Sequence, residues 1–255
     1  MIVAVVQARF SSTRLPGKVL LPILGRPMLA LQLERIARAR HLDRIVVATS
    51  TDPTDDAVTE VAEAAGVEVY RGPLDDVLAR VHGAAIGADH AVRLTADCPL
   101  TDPAMIDRVV VAHLESGADF TSNAWVRTFP DGLDVEVMRT SVLALAHFEA
   151  ELPSEREHVT PFLYGHPERF RLHAVTGEPD RSSLRWVVDR EEDLAVVRAV
   201  FERLYPSDPA FGMAAVLALA EREPAIFAAN AALDPQEGWR RSQQYDEEFR
   251  REAQP

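Results

Sequence analysis

Lysine is nearly missing from this chain. Of its 27 Lys and Arg residues, Lys18 alone is a lysine, and the question is what an ammonium does there that a guanidinium does not. Cysteine is equally scarce: Cys98 by itself can form no intrachain disulfide, and it excludes a structural zinc site built on cysteines. Positive charge is in deficit, with 40 Asp and Glu giving a net charge of -13. That balance argues against nucleic acid or an anionic membrane as partner, because phosphate-tracking surfaces need clustered cations. It leaves room for a small anionic ligand in a local positive pocket. No apolar run approaches the roughly 20 residues that span a bilayer, and the run from Ile2 follows no basic segment, so it reads as a strand rather than a signal peptide. The expectation is a reducing, cytoplasmic setting. Gly and Pro, at 12 and 17, are too few for a fibrous or disordered chain, and 255 residues at 47% hydrophobic content suffice for one large domain.

What is present is alternation. Short β-branched runs at 2–8, 44–50, 67–70 and 90–97 are separated by helical patterns at 27–40, 55–66, 74–85 and 103–116. Strands and helices alternating at this length predict βαβ units and a Rossmann-like α/β fold with a mixed, mostly parallel sheet. The domain is expected to run over 1–230, less regular near 118–180. There, strands are predicted at 118–125, 133–139, 171–176 and 184–188. Helices are predicted at 140–150, at 155–170 with a break near 165–167, and at 190–205 with the core stripe Leu194, Val197, Val200 and Phe201. The polar tail, 231–255, reads as a surface helix or partial disorder.

Ligands of such sheets bind beyond the carboxyl ends of the strands, which directs attention to the loops at 7–18, 50–56, 70–73 and 95–102. In "QARFSSTRLPGK", Arg9, Arg14 and Lys18 stand among Ser11, Ser12, Thr13 and Gly17. Hydroxyls and backbone amides as donors, a glycine for close approach and cations to neutralise charge suit a phosphate cradle. The loop is neither G-x-G-x-x-G nor G-x-x-x-x-G-K-[ST], so both the dinucleotide fingerprint and the P-loop are absent. Asp97 closes the strand at 90–97 and Asp189 follows the one at 184–188, where a hard-oxygen ligand would face the crevice. Asp189 is also placed to cap the following helix, and Asp97 to serve a cap or turn. Thr49 could border a nucleotide, and Arg71 could contact base or phosphate or form a surface ion pair. Asp134 and Glu136 share one strand face, suited either to sugar hydroxyls or to solvent. A lysine in such a loop is expected to be exposed and to contribute little to stability.

Several segments in order carry a resemblance: "QARFSSTRLPGK" followed by "LLPILGRPML", then "LTADCPLTDP" (94–103), "FPDGLDVEV" (129–137), "REHVTPFLYGHPERF" (156–170) and "LRWVVDREEDLAVVRAVFE" (184–202). Over about residues 1–205 the chain resembles the spore coat polysaccharide biosynthesis protein F family, a cytidylyltransferase-like group within the acylneuraminate/Kdo cytidylyltransferases. The resemblance implies a nucleotide-diphospho-sugar transferase (GT-A-like) fold. It also implies the reaction of CTP with a sugar or sugar acid to give CMP-sugar and pyrophosphate, in surface polysaccharide or glycan synthesis. It casts Arg14 and Lys18 as catalytic cations. Gln7, Ala8, Arg9, Ser12, Thr49, Arg71 and Asp97 become nucleotide contacts with them. Asp97 and Asp189 become the ligands of Mg²⁺, and Asn123, Asp134, Glu136 and His158 the contacts to the sugar. Relatives often dimerise through the irregular middle, so a homodimer is expected. A sugar acid would need a basic group in this half, for which Arg127, Arg139, Arg156, Arg169 and Arg171 are candidates. Two other readings stay open: a glycosyltransferase using a finished nucleotide-sugar, disfavoured because "TADCP" stands where a D-x-D would, and a catalytically silent homologue.

Overall fold

The structure is a computed structural model that describes residues 1–234 and 237–252. In chain order the first half holds β1 (Ile2–Gln7), a hairpin of β2 (Pro22–Ile23) and β3 (Arg26–Pro27), α1 (Met28–Ile36), β4 (Arg44–Ser50), α2 (Asp56–Ala64), β5 (Glu68–Gly72), α3 (Val77–Ala84), β6 (His90–Thr95) and α4 (Pro103–Ser116). The second half holds β7 (Phe120–Ser122), β8 (Glu136–Arg139), α5 (Thr140–Glu149), α6 (Pro153–His158), α7 (Pro161–Tyr164), β9 (Leu172–Ala174), α8 (Glu191–Leu204), α9 (Met213–Arg222), α10 (Pro224–Ala228) and α11 (Glu237–Glu252).

β1 is apolar on both faces because it is buried on both. Val3 and Val5 join one hydrophobic cluster, and Ala4 and Val6 join the other. Such a strand needs a partner on each edge, and it lies between β4 and β6, parallel to both. The seven-stranded sheet runs β5-β4-β1-β6-β8-β7-β9, with β8 antiparallel to its two neighbours. Chain order runs outward from β1 to β4 and β5 on one side, then returns to β6 on the other. This reversal opens a crevice beyond the carboxyl ends of β1 and β6. Among the described residues no helix is long and apolar enough to cross a membrane.

The irregular half departs from expectation for identifiable reasons. The stretch 184–188 is not a strand: its hydrogen bonds are divided between two loops, with Trp186 N–H donating to the Asp131 carbonyl and Val188 N–H to that of Asp97, leaving one isolated bridge. The strand at 118–125 stops at Ser122, whose hydroxyl oxygen accepts from Ala124 and Trp125 N–H and turns the chain. The helix over 155–170 breaks at Gly165 as expected, where α7 ends, and is interrupted a first time at Val159, at φ 72°. Pro161 has no N–H to carry the ladder on, so α6 ends at His158 and turns it toward the crevice. Helices α9 and α10 fill a stretch for which the sequence pattern predicted nothing. Within the tail, Glu237–Glu252 form the surface helix α11, exposed over most of its length, and Ser154 N–H and Oγ–H donate to Asp246 at 2.9 and 2.6 Å, tying it to α6. The expectation for 235–236 and 253–255 lies outside the described residues.

Candidate active site

The loop after β1 is held from below. Phe10 N–H donates to Asp55 Oδ1 at 2.6 Å, while Asp55 Oδ2 accepts from Ser50 N–H and Oγ–H at the end of β4. The loop closes where Gly17 N–H meets the Phe10 carbonyl at 2.9 Å. Gly17 sits at φ 65°, a backbone conformation that favours glycine, and a Cβ there would come within 2.8 Å of the exposed Phe10 ring, which would have to move aside. Lys18 follows directly, at the start of a 3-10 turn over Lys18–Leu20.

Lys18 Nζ donates to Asp97 Oδ2 at 2.8 Å, to Asp189 Oδ1 at 2.7 Å and to the Val188 carbonyl at 2.8 Å. An ammonium has three donors, and here each has an acceptor; a planar guanidinium cannot point three donors at one compact trio. The lysine is 9% exposed, not the exposed loop cation that the sequence suggested. Burial pulls its pKa down, but the two carboxylates reverse this and raise it above the ordinary lysine value. Arg14 adds a second cation, 2.9 Å from Asp189 Oδ1. Burial tends to raise the Asp189 carboxyl, yet Lys18 and Arg14 outweigh it and hold the pKa at about 2.

Neither aspartate is spent on a helix cap. Asp193 accepts from the N–H groups of both Asp189 and Arg190 at 3.0 Å, and Arg185 Nε–H donates to it at 2.8 Å. α4 is capped by Asp102, which accepts from Ala104 N–H at 2.8 Å. The carboxylates of Asp97 and Asp189 therefore converge on one point. Two hard oxygen donors a few ångströms apart, beside cations that can turn to phosphate, fit a divalent metal sharing its shell with a triphosphate and water.

The cluster floors a cleft of about 200 Å³ lined by Gln7, Ala8, Arg9, Ser12, Arg14, Lys18, Asp97 and Asp189, with Gly238 and Arg241 contributed by α11. Gln7 Oε1 accepts from Arg93 Nε–H at 2.8 Å. A second cavity, of about 620 Å³, adjoins the first, with Thr95 and His158 on both linings. Asp134, Glu136 and His158 line it as the sequence suggested, together with Arg93, Arg127 and Asp131. Glu136 accepts from Arg93 and from the Thr160 hydroxyl, and Arg127 forks onto Asp134 through two 2.7 Å bonds. Burial and then Asp134 raise the Asp131 carboxyl to about 6, against Arg127 and Arg185. His158 donates to or accepts from Ser242 Oγ at 2.8 Å and meets the Trp239 ring edge-on at 5.3 Å; burial lowers its pKa.

Three expected contacts are not brought to the site. Thr49 is fully buried within β4 and lines neither cavity. Arg71 is spent on Asp56 at 2.7 Å and on the carbonyls of Ser50 and Asp52. Asn123 is a backbone staple: its Oδ1 accepts from Val135 N–H at 2.7 Å and its Nδ2 donates to the Leu133 carbonyl at 2.8 Å, and its buried side chain lines neither cavity. Arg93, Trp125, Tyr164 and Trp239 had no place in the sequence reading. The available signal was an aromatic residue, Trp239, in an otherwise polar tail.

A sequence model described as cytidylyltransferase matches residues 3–210. An uncharacterized protein of Methanocaldococcus jannaschii is 36% identical over 198 residues, covering 75% of this chain and 79% of its own length. The spore coat polysaccharide biosynthesis protein SpsF of Bacillus subtilis is 31% identical over 212 residues, 79% of this chain and 87% of its own. Among solved structures, a cytidylyltransferase from Leptospira borgpetersenii superposes with a TM-score of 0.85 at 32% identity, covering 89% of this chain and 96% of that one.

Proposed function

The chain belongs to the cytidylyltransferase family, and from that premise we propose that it activates a sugar with CTP, giving CMP-sugar and pyrophosphate for surface polysaccharide or glycan synthesis. The observation that carries the reading is the convergence of Lys18 and Arg14 on Asp97 and Asp189 beyond the carboxyl ends of β1 and β6. In this reaction a sugar hydroxyl attacks the α-phosphorus in line with the departing pyrophosphate, a new P–O bond replacing the α–β bridge with loss of the hydroxyl proton.

The chain's residues divide that work. Loop 8–17 and the Arg14 fork receive phosphate oxygens, and Lys18 supplies a compact charge that can turn from the carboxylates to the oxygens bearing leaving-group charge. Asp97 and Asp189 would hold Mg²⁺, which supplies charge neutralisation at the triphosphate when bound. The adjoining cavity holds the acceptor, with Asp134, Glu136 and His158 on its wall. A CTP-consuming enzyme of this kind works in the cytoplasm, where the nucleotide is made.

The test is pyrophosphate release from CTP, ATP, GTP or UTP with Mg²⁺ across a sugar panel. The expected result is release with CTP and a sugar, at least tenfold above any other nucleotide. Equal release with all four, or release with another nucleotide alone, contradicts the reading.

A further inference from the structure

We propose that Arg241, on helix α11, is a ligand of the β- and γ-phosphates of the nucleotide and of the pyrophosphate that leaves, because it is the cation of the 200 Å³ cleft that the protein leaves unpaired. The inference rests on the nucleotidyl-transfer reading above, and it adds to that site a residue outside the matched stretch 3–210.

Four cations line the cleft, and their donors are not equally free. Lys18 directs all three of its hydrogens at Asp97, Asp189 and the Val188 carbonyl, and Arg14 lies 2.9 Å from Asp189. Arg9 stands 3.8 Å from Glu157. Arg241 is exposed and, among the described residues, makes no hydrogen bond or ion pair. Glu237, one turn before it on the same helix, is taken by Arg190 through bonds of 2.8 and 3.1 Å. All five guanidinium donors of Arg241 are thus left to water or a ligand.

The helix is fixed where Arg241 faces the cleft. Asp246 accepts from the Ser154 N–H and hydroxyl, and Ser242 Oγ lies 2.8 Å from His158 Nε2 and 3.0 Å from Glu157 Oε2. Gly238 packs so near the loop that a Cβ on it would lie 3.5 Å from Arg14 Nη1. These contacts bracket Arg241 along the helix. Trp239, roughly 200° round the helix from Arg241, lines the acceptor cavity. One turn of α11 therefore presents an aromatic ring to the acceptor and a guanidinium to the phosphates.

The balance of charge calls for this residue. Among the described residues lining the cleft, the carboxylates Asp97, Glu157 and Asp189 match Arg9, Arg14 and Lys18 in number, and burial keeps His158 toward its neutral form. Arg241 is the surplus positive charge of a cleft set in a chain of net charge -13. A free guanidinium can fork onto phosphate oxygens without first breaking a protein ion pair. Position selects which phosphates it meets. Arg241 lines the cleft and not the acceptor cavity. In-line transfer sends pyrophosphate away from the attacking hydroxyl, so the β- and γ-phosphates belong on the side away from that cavity.

The experiment is calorimetric titration of the full chain, with Mg²⁺ present, by inorganic pyrophosphate, CMP and each of CTP, ATP, GTP and UTP, on the wild type, Arg241→Met and Arg240→Met. A hydrogen bond between charged groups is worth about tenfold in affinity, so Arg241→Met should weaken pyrophosphate and CTP by about that factor. CMP, which lacks both outer phosphates, should change by less than about twofold. Retained CMP binding also shows that the variant is folded. Arg240 pairs with Asp234 and lines neither cavity, so Arg240→Met removes the same charge and should leave every affinity in place. The proposal is overturned if Arg241→Met binds pyrophosphate as the wild type does, or if CMP weakens as much as CTP. It is also overturned if Arg240→Met reproduces the loss, or if the wild type binds no pyrophosphate. Binding of another nucleoside triphosphate in place of CTP, with the loss in Arg241→Met intact, overturns the cytidine reading and supports this one.

Discussion

Lys18 is where the chemistry of one residue decides most. Its three acceptors lie within 2.8 Å, and all three face a side chain that is 9% exposed. Lys18→Met leaves Asp97 and Asp189 facing one another, with Arg14 at 2.9 Å and Arg185 at 3.5 Å from Asp189 as the remaining close cations. It should cost about 3 kcal/mol in urea unfolding, as breaking a buried ion pair does, and lower turnover at least a hundredfold. Lys18→Arg keeps the charge but not the three-way fit, and a similar loss of turnover is expected from it. Wild-type turnover in Lys18→Arg would show that charge alone suffices. At this scale the sequence was informative wherever a residue type is rare or a motif is local. The lone lysine, the cationic loop and the two strand-end aspartates could all be picked out, and they converge. It misjudged burial, because Lys18 is covered by Asp97 and the 188–189 segment, which lie 79 and 171 positions away. It misassigned Asn123 for a related reason: an amide that clamps Leu133 and Val135 has the same composition as one that reads a sugar.

Among the elements, β1, β4, β5 and β6 with their helices were legible because each carries a periodic apolar pattern and a short connection. After α4 the longer helices α5 and α8 were equally legible, but the short pieces were not, since they are stabilised by hydrogen bonds to distant loops instead of by their own periodicity. Residues 184–188 are extended yet paired to two different segments. The packing of α4 on the sheet contains a titratable contact that gives a direct test of this account. His113, on the buried face of α4, has Nδ1 3.0 Å from Thr121 Oγ1 and Nε2 3.0 Å from His90 Nδ1. Burial, and then His90, lowers its pKa from 6.5 to about 4. A histidine whose folded pKa is depressed favours folding only while neutral. Its contribution is intact above pH 6.5 and is lost as the pH falls toward 4, because the unfolded chain takes up a proton that the folded one refuses. Between pH 7 and 5 this amounts to about 2 kcal/mol, with the lowered pKa of His90 acting in the same direction. Urea midpoints at the two pH values should fall accordingly in the wild type and differ far less in His113→Leu. Equal falls in both would remove His113 as the cause.

At the scale of the molecule, the order reversal at β1 sets a crevice at the sheet's centre, and the second half closes it. The 188–189 segment brings Asp189, α6 brings His158, and α11 brings Gly238, Trp239 and Arg241. The tail that reads as polar surface thus forms part of the cleft wall, which its composition alone could not disclose, since packing against α6 uses serine and aspartate. A net charge of -13 surrounds a cleft that gathers Arg9, Arg14, Lys18 and Arg241, so attraction for an anion is local to this place. The central claim is that this cleft is a metal-assisted CTP site. Calorimetric titration of CTP into the full chain with and without Mg²⁺, repeated on Asp97→Asn, tests it most directly. The account predicts that the wild type binds CTP at least tenfold more tightly with Mg²⁺ than without, and that Asp97→Asn abolishes most of this gain. Absence of CTP binding, or a metal gain of the same size in Asp97→Asn, would contradict it.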